Sequence, residues 1–143
     1  MFIKQVSVFL ENSAGRLQSA LEILKEHNIN IVSLSLADTS DYGMLRMIVS
    51  DCDAAKDALK AAGLSAHLTD VLAIKLPHTV GSLQGVLKVL CDAGINIEYM
   101  YALSTKDTNA CIVIKPADKD ACVKALSGHE FDYLTDSEIK KVF

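Results

Sequence analysis

The sequence predicts an α+β fold in which two consecutive βαββαβ units each have an antiparallel sheet with its helices on one face. The main observation is an internal repeat with a period of about 66 residues, which pairs Gly15 with Gly81 and the phrase at 29–31 with that at 95–97. The second observation is the order of strand-like and helix-like segments, which is the same in both repeats. The third is the length of 143 residues, which has room for two small domains.

The first strand and helix of repeat one are predicted from composition and periodicity. Residues 2–10 are rich in β-branched and aromatic side chains, which favour a strand. The turn at 12–15 then opens a helix, and Asn28 ends it because asparagine tolerates the left-handed conformation. The inward face of this helix is predicted to consist of Leu17, Ala20, Leu21 and Leu24, which recur at helical spacing.

Two further strands and a second helix follow in repeat one. Residues 31–37 and 44–49 predict strands on either side of a hairpin-type loop at 38–43. We expect Asp51 or Asp53 to cap the second helix and Gly63 to stop it. The inward face of this helix is predicted to consist of Ala55, Ala58, Leu59 and Ala62.

Repeat two follows the same plan. Residues 97–103 and 110–115 predict strands, Gly94 ends the first helix, and Asp118 caps the second. Residues 65–76 read as one strand that serves both repeats, without a linker rich in Gly, Ser or Pro. The predicted inward faces of the two helices are Leu83, Val86, Leu87 and Leu90, and Cys122, Ala125 and Leu126. We therefore divide the chain into units 1–69 and 70–143.

Composition excludes several classes of function. Lys and Arg number 14 against 18 Asp and Glu, so the net charge is −4, which argues against binding to nucleic acid. No apolar run approaches the roughly 20 residues of a membrane span, and no secretory signal is seen. The four cysteines form no Cys-x-x-Cys pair and no zinc-like cluster. We expect a cytoplasmic protein that binds neither a membrane nor a metal.

On these features the chain resembles the ACT domain, a small ferredoxin-like regulatory module that senses amino acids. The resemblance covers the whole chain, twice. It rests on the order of elements and on four short phrases, which are Asn12-Ser13-Ala14-Gly15-Arg16-Leu17, His78-Thr79-Val80-Gly81-Ser82-Leu83, Asn28-Ile29-Asn30-Ile31 and Gly94-Ile95-Asn96-Ile97.

The resemblance implies a ligand site near the first strand–helix loop and the start of the second strand of each unit. Helix N-termini suit a carboxylate, and a carboxamide can contact both charged groups of an amino acid. The implied ligand-binding residues are Asn12, Gly15 and Asn30 in unit one, and His78, Gly81 and Asn96 in unit two. The alternative is that these residues serve only as turn and cap residues.

Four positions depart from the family pattern. Ala14 and Val80 stand where the family often has proline, and Leu10 and Leu76 stand where some members have a polar residue. These departures favour a module that has lost its ligand, whereas the retained asparagines and glycines favour one that still binds.

Tyr99 and Tyr101 form a candidate interface. They alternate with Met100, so both rings point to one side of the strand, where repeat one has Ser33 and Ser35. If Met100 faces the helices, the rings lie on the uncovered sheet face, ready to contact another sheet or a ligand's side chain. The alternative is ordinary packing within the chain.

Other proteins with this order of elements are less compatible with the sequence. A metal chaperone needs paired thiols at the first strand–helix junction, which holds no cysteine in either repeat. An acylphosphatase-like enzyme needs an arginine in a phosphate-cradling loop, but Arg16 follows the glycine and Ser82 stands at the same place in repeat two. We therefore predict no catalytic residue, no cofactor and no enzymatic activity.

Two functional hypotheses remain. In the first, the protein binds a free amino acid between units or chains and modulates a separate enzyme or regulator. In the second, it is a structural or assembly module without a ligand. Either way we expect a homodimer, because symmetric dimers are the commonest closed assemblies.

Overall fold

The computed structural model describes residues 1–38, 41–104 and 109–141 and divides into two compact units. The first unit consists of Lys4–Asp70 together with the C-terminal segment from Asp136, and the second of Met1–Ile3 and Val71–Thr135. In chain order the elements are β1 (Phe2–Glu11), α1 (Arg16–Glu26), β2 (Ile31–Asp38), β3 (Tyr42–Val49), α2 (Cys52–Ala61), β4 (Ser65–Leu76), α3 (Ser82–Asp92), β5 (Ile97–Leu103), β6 (Ala110–Pro116), α4 (Lys119–Leu126), β7 (Asp132–Tyr133) and α5 (Asp136–Lys141).

The duplicated βαββαβ plan with antiparallel strands confirms the predicted fold class. Strand β4 serves both units, as predicted, because its first half to Asp70 belongs to the first unit and its second half from Val71 to the second. The placing of the family units at 1–69 and 70–143 stays a prediction, since each compact unit also takes a segment from the far end of the chain.

The first unit has the strand order β2-β3-β1-β4. Val6 lies opposite Met47, and Met47 lies opposite Leu34, so these three side chains share the face that α1 and α2 cover. The core on this face consists of Val6, Val8, Leu10, Ala20, Leu24, Ile29, Leu45, Met47, Val49, Ala55, Leu59 and Ala66. Alternation places polar residues on the other face, where buried Gln5 donates from Nε2 to Ser7 Oγ at 2.9 Å.

Helix α5 belongs to the first unit although it follows the whole of repeat two. Its Ile139 is buried, and a cavity of about 170 Å³ separates the helix from Lys4 and from residues 49–53. The βαββαβ plan calls for a last strand after α4, which the two residues of β7 supply, but the sequence analysis does not place it, and it does not predict α5. The acidic first turn and basic last turn of α5 complement a helix dipole and are the signal that would have found it.

In the second unit β4 pairs with β6, and β6 pairs with β5. Strand β7 also pairs with β4, and the Ala73 N–H donates to the Met1 carbonyl at 3.5 Å. The core consists of Leu72, Ile74, Leu76, Val86, Leu90, Ile95, Ile114, Cys122 and Leu126. Met100 lies opposite Ile114 and so is on the helix side of the sheet.

The predicted helix ends are confirmed. Asn28 has φ +55°, and Gly63 and Gly94 also have positive φ, as the left-handed residue after a helix requires. Asp51, rather than Asp53, caps α2 by accepting from the Ala54 N–H at 3.1 Å, and Asp118 likewise caps α4.

Two local predictions are wrong. Ala62 is exposed because it is the C-cap of α2 and has already left the helix's inward face. The hairpin loop is shorter than 38–43, since β2 extends to Asp38 and β3 begins at Tyr42. Residues 39–40 of that loop lie outside the described part of the chain.

Candidate functional site

The two strand–helix loops have the same backbone geometry. Gly15 precedes α1 with φ +86°, and Gly81 precedes α3 with φ +87°. A Cβ added at either position would meet nothing within 4 Å. Glycine is therefore required here by the left-handed conformation and not by a close approach of protein atoms.

Helices α1 and α3 each begin with backbone N–H groups that have no acceptor among the described residues. In α1 the Arg16 N–H donates to the Ser13 carbonyl at 3.3 Å and the Ser19 N–H to the Gly15 carbonyl at 2.9 Å. Within the part of the chain that is described, the intervening amides of Leu17 and Gln18 have no acceptor. The amides of Leu83 and Gln84 in α3 are placed in the same way. Such donors, with the positive end of the helix dipole, suit a carboxylate.

In the first unit the predicted residues border two separate depressions. Asn12 lines a cavity of about 270 Å³, the loop cavity, together with Leu10, Glu11, Ser13, Leu17, Leu36 and Gly43. Asn30 lines a groove of about 560 Å³, the Asn30 groove, together with Leu21, Leu24, Lys25, Asn28, Ile29, Ile31 and Ser50. The two depressions have no lining residue in common, and Gly15 lines neither.

In the second unit the corresponding residues border one continuous surface. Gly81 lines a groove of about 630 Å³, the loop groove, together with Thr79, Ser82, Leu83, Gln84, Leu87, Lys88 and Cys91. Asn96 lines a groove of about 490 Å³, the Asn96 groove, together with Leu87, Cys91, Gly94, Ile95 and Ile97. Leu87 and Cys91 line both grooves, so the depressions meet along α3. His78 is exposed in the loop and lines neither groove.

Lys88 lines the loop groove, and its charge is paired with Asp92 on the same helix. Its ammonium donates to Asp92 Oδ2 at 2.7 Å, and this hydrogen bond raises the pKa of Lys88. At the mouth of the loop the hydroxyls of Thr79 and Ser82 lie 2.6 Å apart. The lining of this groove thus offers a cation, hydroxyls and two leucines, and includes no carboxylate.

The asparagines at the start of β2 and β5 are held differently. The Asn30 N–H donates to Ser50 Oγ at 2.9 Å, and the Ser50 N–H donates to the Asn30 carbonyl at 2.9 Å. In the second unit the Asn96 carbonyl accepts from Ala117, because Pro116 stands in the place of Ser50 and has no N–H.

Tyr99 and Tyr101 lie opposite Lys115 and Val113, on the sheet face away from the helices. Both are half-buried within the chain, so packing in this chain already uses part of each ring. Their role as an interface stays a prediction.

Several groove residues are not singled out by the sequence analysis. Gln84, Lys88 and Cys91 follow one another at four and three residues, which places them on one face of α3. That spacing is the signal that would have found them, but a polar stripe on an exposed helix face is also common in helices without a ligand.

Two findings concern other kinds of site. The longest helices of the described chain have 11 residues, too few to cross a membrane. Within residues 1–38, 41–104 and 109–141, no group of three or more His, Cys, Asp or Glu is placed to hold a metal ion.

A duplicated βαββαβ unit with an open helix N-terminus beside each first strand defines a pair of small regulatory modules. The family model described as an ACT domain pair matches residues 1–143, and the chain belongs to this family. The ACT domain pair is a regulatory module, as expected from the resemblance. No curated protein matches the chain.

Solved structures agree with this assignment. Protein BT0572 from Bacteroides thetaiotaomicron is 41% identical, with a TM-score of 0.89, over 99% of this chain and 97% of that one. The regulatory subunits of aspartate kinase from Thermus thermophilus, in its ligand-free form, and from Thermus flavus are 14% and 19% identical, with TM-scores of 0.59 and 0.58. Each match covers 90% of this chain and 94% of the other, and at these identities the likeness shows the fold alone.

Proposed function

We propose that this protein binds a free amino acid along α3 of the second unit. In its ligand-bound state it modulates a separate partner protein in the cytoplasm. The observation that supports this proposal is the continuity of the loop groove and the Asn96 groove through Leu87 and Cys91. The open helix N-terminus and Asn96 lie at opposite ends of α3, about 12 Å or more apart at 1.5 Å per residue, which is farther than the two charged groups of one amino acid. In this proposal the Asn96 that completes a site at the loop therefore comes from a second copy of the chain.

The chemistry of the surface matches a zwitterion with a small side chain. The carboxylate is placed at the amides of Leu83 and Gln84, with Lys88 as a nearby positive charge. The Asn96 carboxamide has an oxygen that accepts from the ammonium group. Leu87 supplies apolar contact for the side chain.

Thermal unfolding with each of the twenty amino acids at millimolar concentration tests this proposal. A ligand that binds only the folded state at a hundredfold excess over its Kd adds about 2.7 kcal/mol, which raises the Tm by several degrees. We expect one amino acid, or a few related ones, to produce such a shift. Unchanged unfolding with all twenty would contradict the proposal.

A pair of repeat-matched variants locates the site. Asn96→Ala is expected to abolish the shift in Tm, whereas Asn30→Ala, at the same place in the first unit, leaves it in place. Both side chains are exposed, so neither variant should change unfolding in the absence of ligand by more than about 0.5 kcal/mol. Equal loss of binding in both variants would argue that the two units contribute together.

A second candidate function is assembly without a ligand. Leu34 and Leu36 on β2 are 43% and 47% exposed, and Met100 on β5 is 37% exposed. Since β2 is the outermost strand of the first unit and β5 the outermost strand of the second, these side chains are placed for contact with another molecule. This proposal includes the homodimer.

The solution mass distinguishes how that contact is made. Light scattering is expected to give the mass of a dimer. The double variant Tyr99→Ser/Tyr101→Ser, which copies Ser33 and Ser35 of the first unit, is expected to shift the mass toward the monomer. A dimer that persists in this variant would remove the tyrosines from the interface and leave the apolar strand edges as its basis.

A further inference from the structure

Residues 132–141, the C-terminal segment, are attached to both units. Strand β7 at the start of the segment belongs to the second unit, and helix α5 at its end belongs to the first. Two residues, Leu134 and Thr135, separate the strand from the helix. The connection that precedes the segment, residues 127–130, is exposed. One short stretch of chain therefore has an anchor in each unit.

The anchor in the second unit is small. Strand β7 has two residues, which pair with Ile74 and Lys75, whereas strands in globular proteins usually have about five or six. The Leu134 N–H donates to the Ala73 carbonyl at 3.0 Å, and the Leu134 side chain is buried. The ring of Tyr133 packs against the core of this unit. One short pairing and two side chains hold the segment here.

The hydroxyl of Tyr133 weakens this anchor. Among the residues that the structure describes, this buried hydroxyl has no hydrogen-bond partner, and burial raises its pKa. A buried hydroxyl without a partner destabilises the state that buries it, because in water the same group is fully hydrogen-bonded. Release of β7 into solvent therefore restores hydrogen bonds that the docked state lacks.

The anchor in the first unit is also small. Helix α5 has six residues, too few for a helix that is stable in isolation, and Ile139 is its buried side chain. A cavity of about 170 Å³ lies between the helix and residues 49–53, and its lining includes the charged side chains of Asp53 and Lys140. Side chains that border a gap lack the packing contacts of a filled core. Docking of α5 therefore depends mainly on Ile139.

Each anchor lies beside a cysteine. Cys52 lines the cavity next to α5 and is half-buried. Cys122 is fully buried in the second core, against which Tyr133 packs. Burial raises the pKa of both thiols, so each is expected to react faster once water reaches it. The chain thus contains one thiol that monitors each anchor.

We propose that the C-terminal segment is a conformational strap that docks on both units and is released from both as one piece. In the closed state β7 pairs with β4 and Ile139 is buried in the first unit. In the open state the paired edge of β4 and the cavity beside Cys52 become accessible while the two cores stay folded. Because two residues join β7 to α5, a change that weakens one anchor releases the other. The strap needs no ligand and does not depend on the proposed function.

Thiol labelling of the full chain with a maleimide, followed site by site by mass spectrometry, tests this coupling. Ile139→Ala weakens the anchor of α5 and is expected to raise the labelling rate of Cys52 at least about tenfold. The rate at Cys122 should rise by a similar factor, although Cys122 lies in the other unit. Lys141→Ala, at an exposed position of the same helix, is the matched control and should change neither rate.

A second variant moves the equilibrium in the opposite direction. Tyr133→Phe removes the hydroxyl without a partner and is expected to slow the labelling of both Cys52 and Cys122 about fivefold. The Leu134 amide should change its hydrogen-exchange rate by the same factor in each variant, since its bond to Ala73 breaks in the same event. A variant that changes only the thiol of its own unit overturns the proposal.

The other two cysteines distinguish release of the strap from unfolding of the whole chain. Cys91 is exposed and should be labelled at the same rate in every variant. Cys111 is buried on the sheet face away from the helices and should stay slow. If Ile139→Ala accelerates Cys111 as much as Cys52, the opening involves the whole protein and the proposal is overturned.

Discussion

The two units repeat one backbone and differ in the side chains placed on it. Gly15 and Gly81 have φ values of +86° and +87°, and both α1 and α3 end in a left-handed residue with the same capping bonds. The depressions along the two helices nevertheless differ, since they meet in the second unit and are separate in the first. A duplicated backbone thus fixes where donors stand, while side chains decide what they can bind.

The two units also differ on the face of the sheet that lies opposite the helices. In the first unit this face includes buried Gln5 and Ser7, and the Ser7 hydroxyl lies 3.2 Å from that of Thr69. In the second unit the same face includes buried Ala73 and Val113, with Tyr101 opposite Val113. On this face the first unit has hydrogen-bonded polar side chains, whereas the second unit has buried apolar side chains.

The largest expected effect tests whether the two cores are equivalent. Leu24 and Leu90 occupy matched positions on α1 and α3, and both are fully buried. Leu24→Ala and Leu90→Ala should each lower the free energy of unfolding by about 2–5 kcal/mol, measured by urea denaturation. Leu34→Ala, at a site that is 43% exposed, is the control and should cost less than either. A loss of less than about 1 kcal/mol in one core variant would show that the two cores contribute unequally to the free energy of unfolding.

The next effect tests whether the loop glycines have the same role in both units. Gly15→Ala and Gly81→Ala should each cost about 1–2 kcal/mol, because a Cβ is unfavourable at positive φ even where space is open. Gly85→Ala, in the interior of α3, is the control and should stabilise the protein by about 0.5–1 kcal/mol. Chemical denaturation measures all three. Clearly different losses of unfolding free energy in Gly15→Ala and Gly81→Ala would show that the two loop glycines do not have the same role.

The smallest effect concerns a contact that only the first unit has. Ser50→Ala removes the acceptor of the Asn30 N–H and should cost about 0.5–1.5 kcal/mol. Hydrogen exchange should become faster at the Asn30 amide. The Ala117 amide, which donates to the Asn96 carbonyl, is the internal control and should keep its rate. An unchanged rate at Asn30 would mean that the Ser50 hydroxyl does not hold it.

The periodic parts of the fold could be predicted from the sequence. Leu24, Ala55 and Leu59 lie in the core as their helical spacing indicates, and the strand at 65–76 matches β4. Periodicity could not locate β7 and α5, because two and six residues are too short for a periodic pattern, and the charges at the two ends of α5 are the one signal of a helix there. Nothing in the order of the repeat indicates that α5 returns to the first unit.

The candidate site could be predicted only in part. Gly81 and Asn96 border the surface along α3, because the glycine loop and the helix-to-strand phrase have fixed places in each repeat. The separation of Asn12 from Asn30 in the first unit could not be predicted. It depends on which side chains fill the space between two loops, and sequence spacing does not contain that information.

The position of α5 has a consequence for biosynthesis. The ribosome completes residues 4–70 well before it reaches Asp136, and at about 5–20 residues per second the interval is roughly 3–13 s. During this time Ile139 has not been made, so Val49 and Cys52, which line the cavity beside α5, are open to solvent and to chaperones on that side. The first unit is therefore the first to begin folding and the last to be finished.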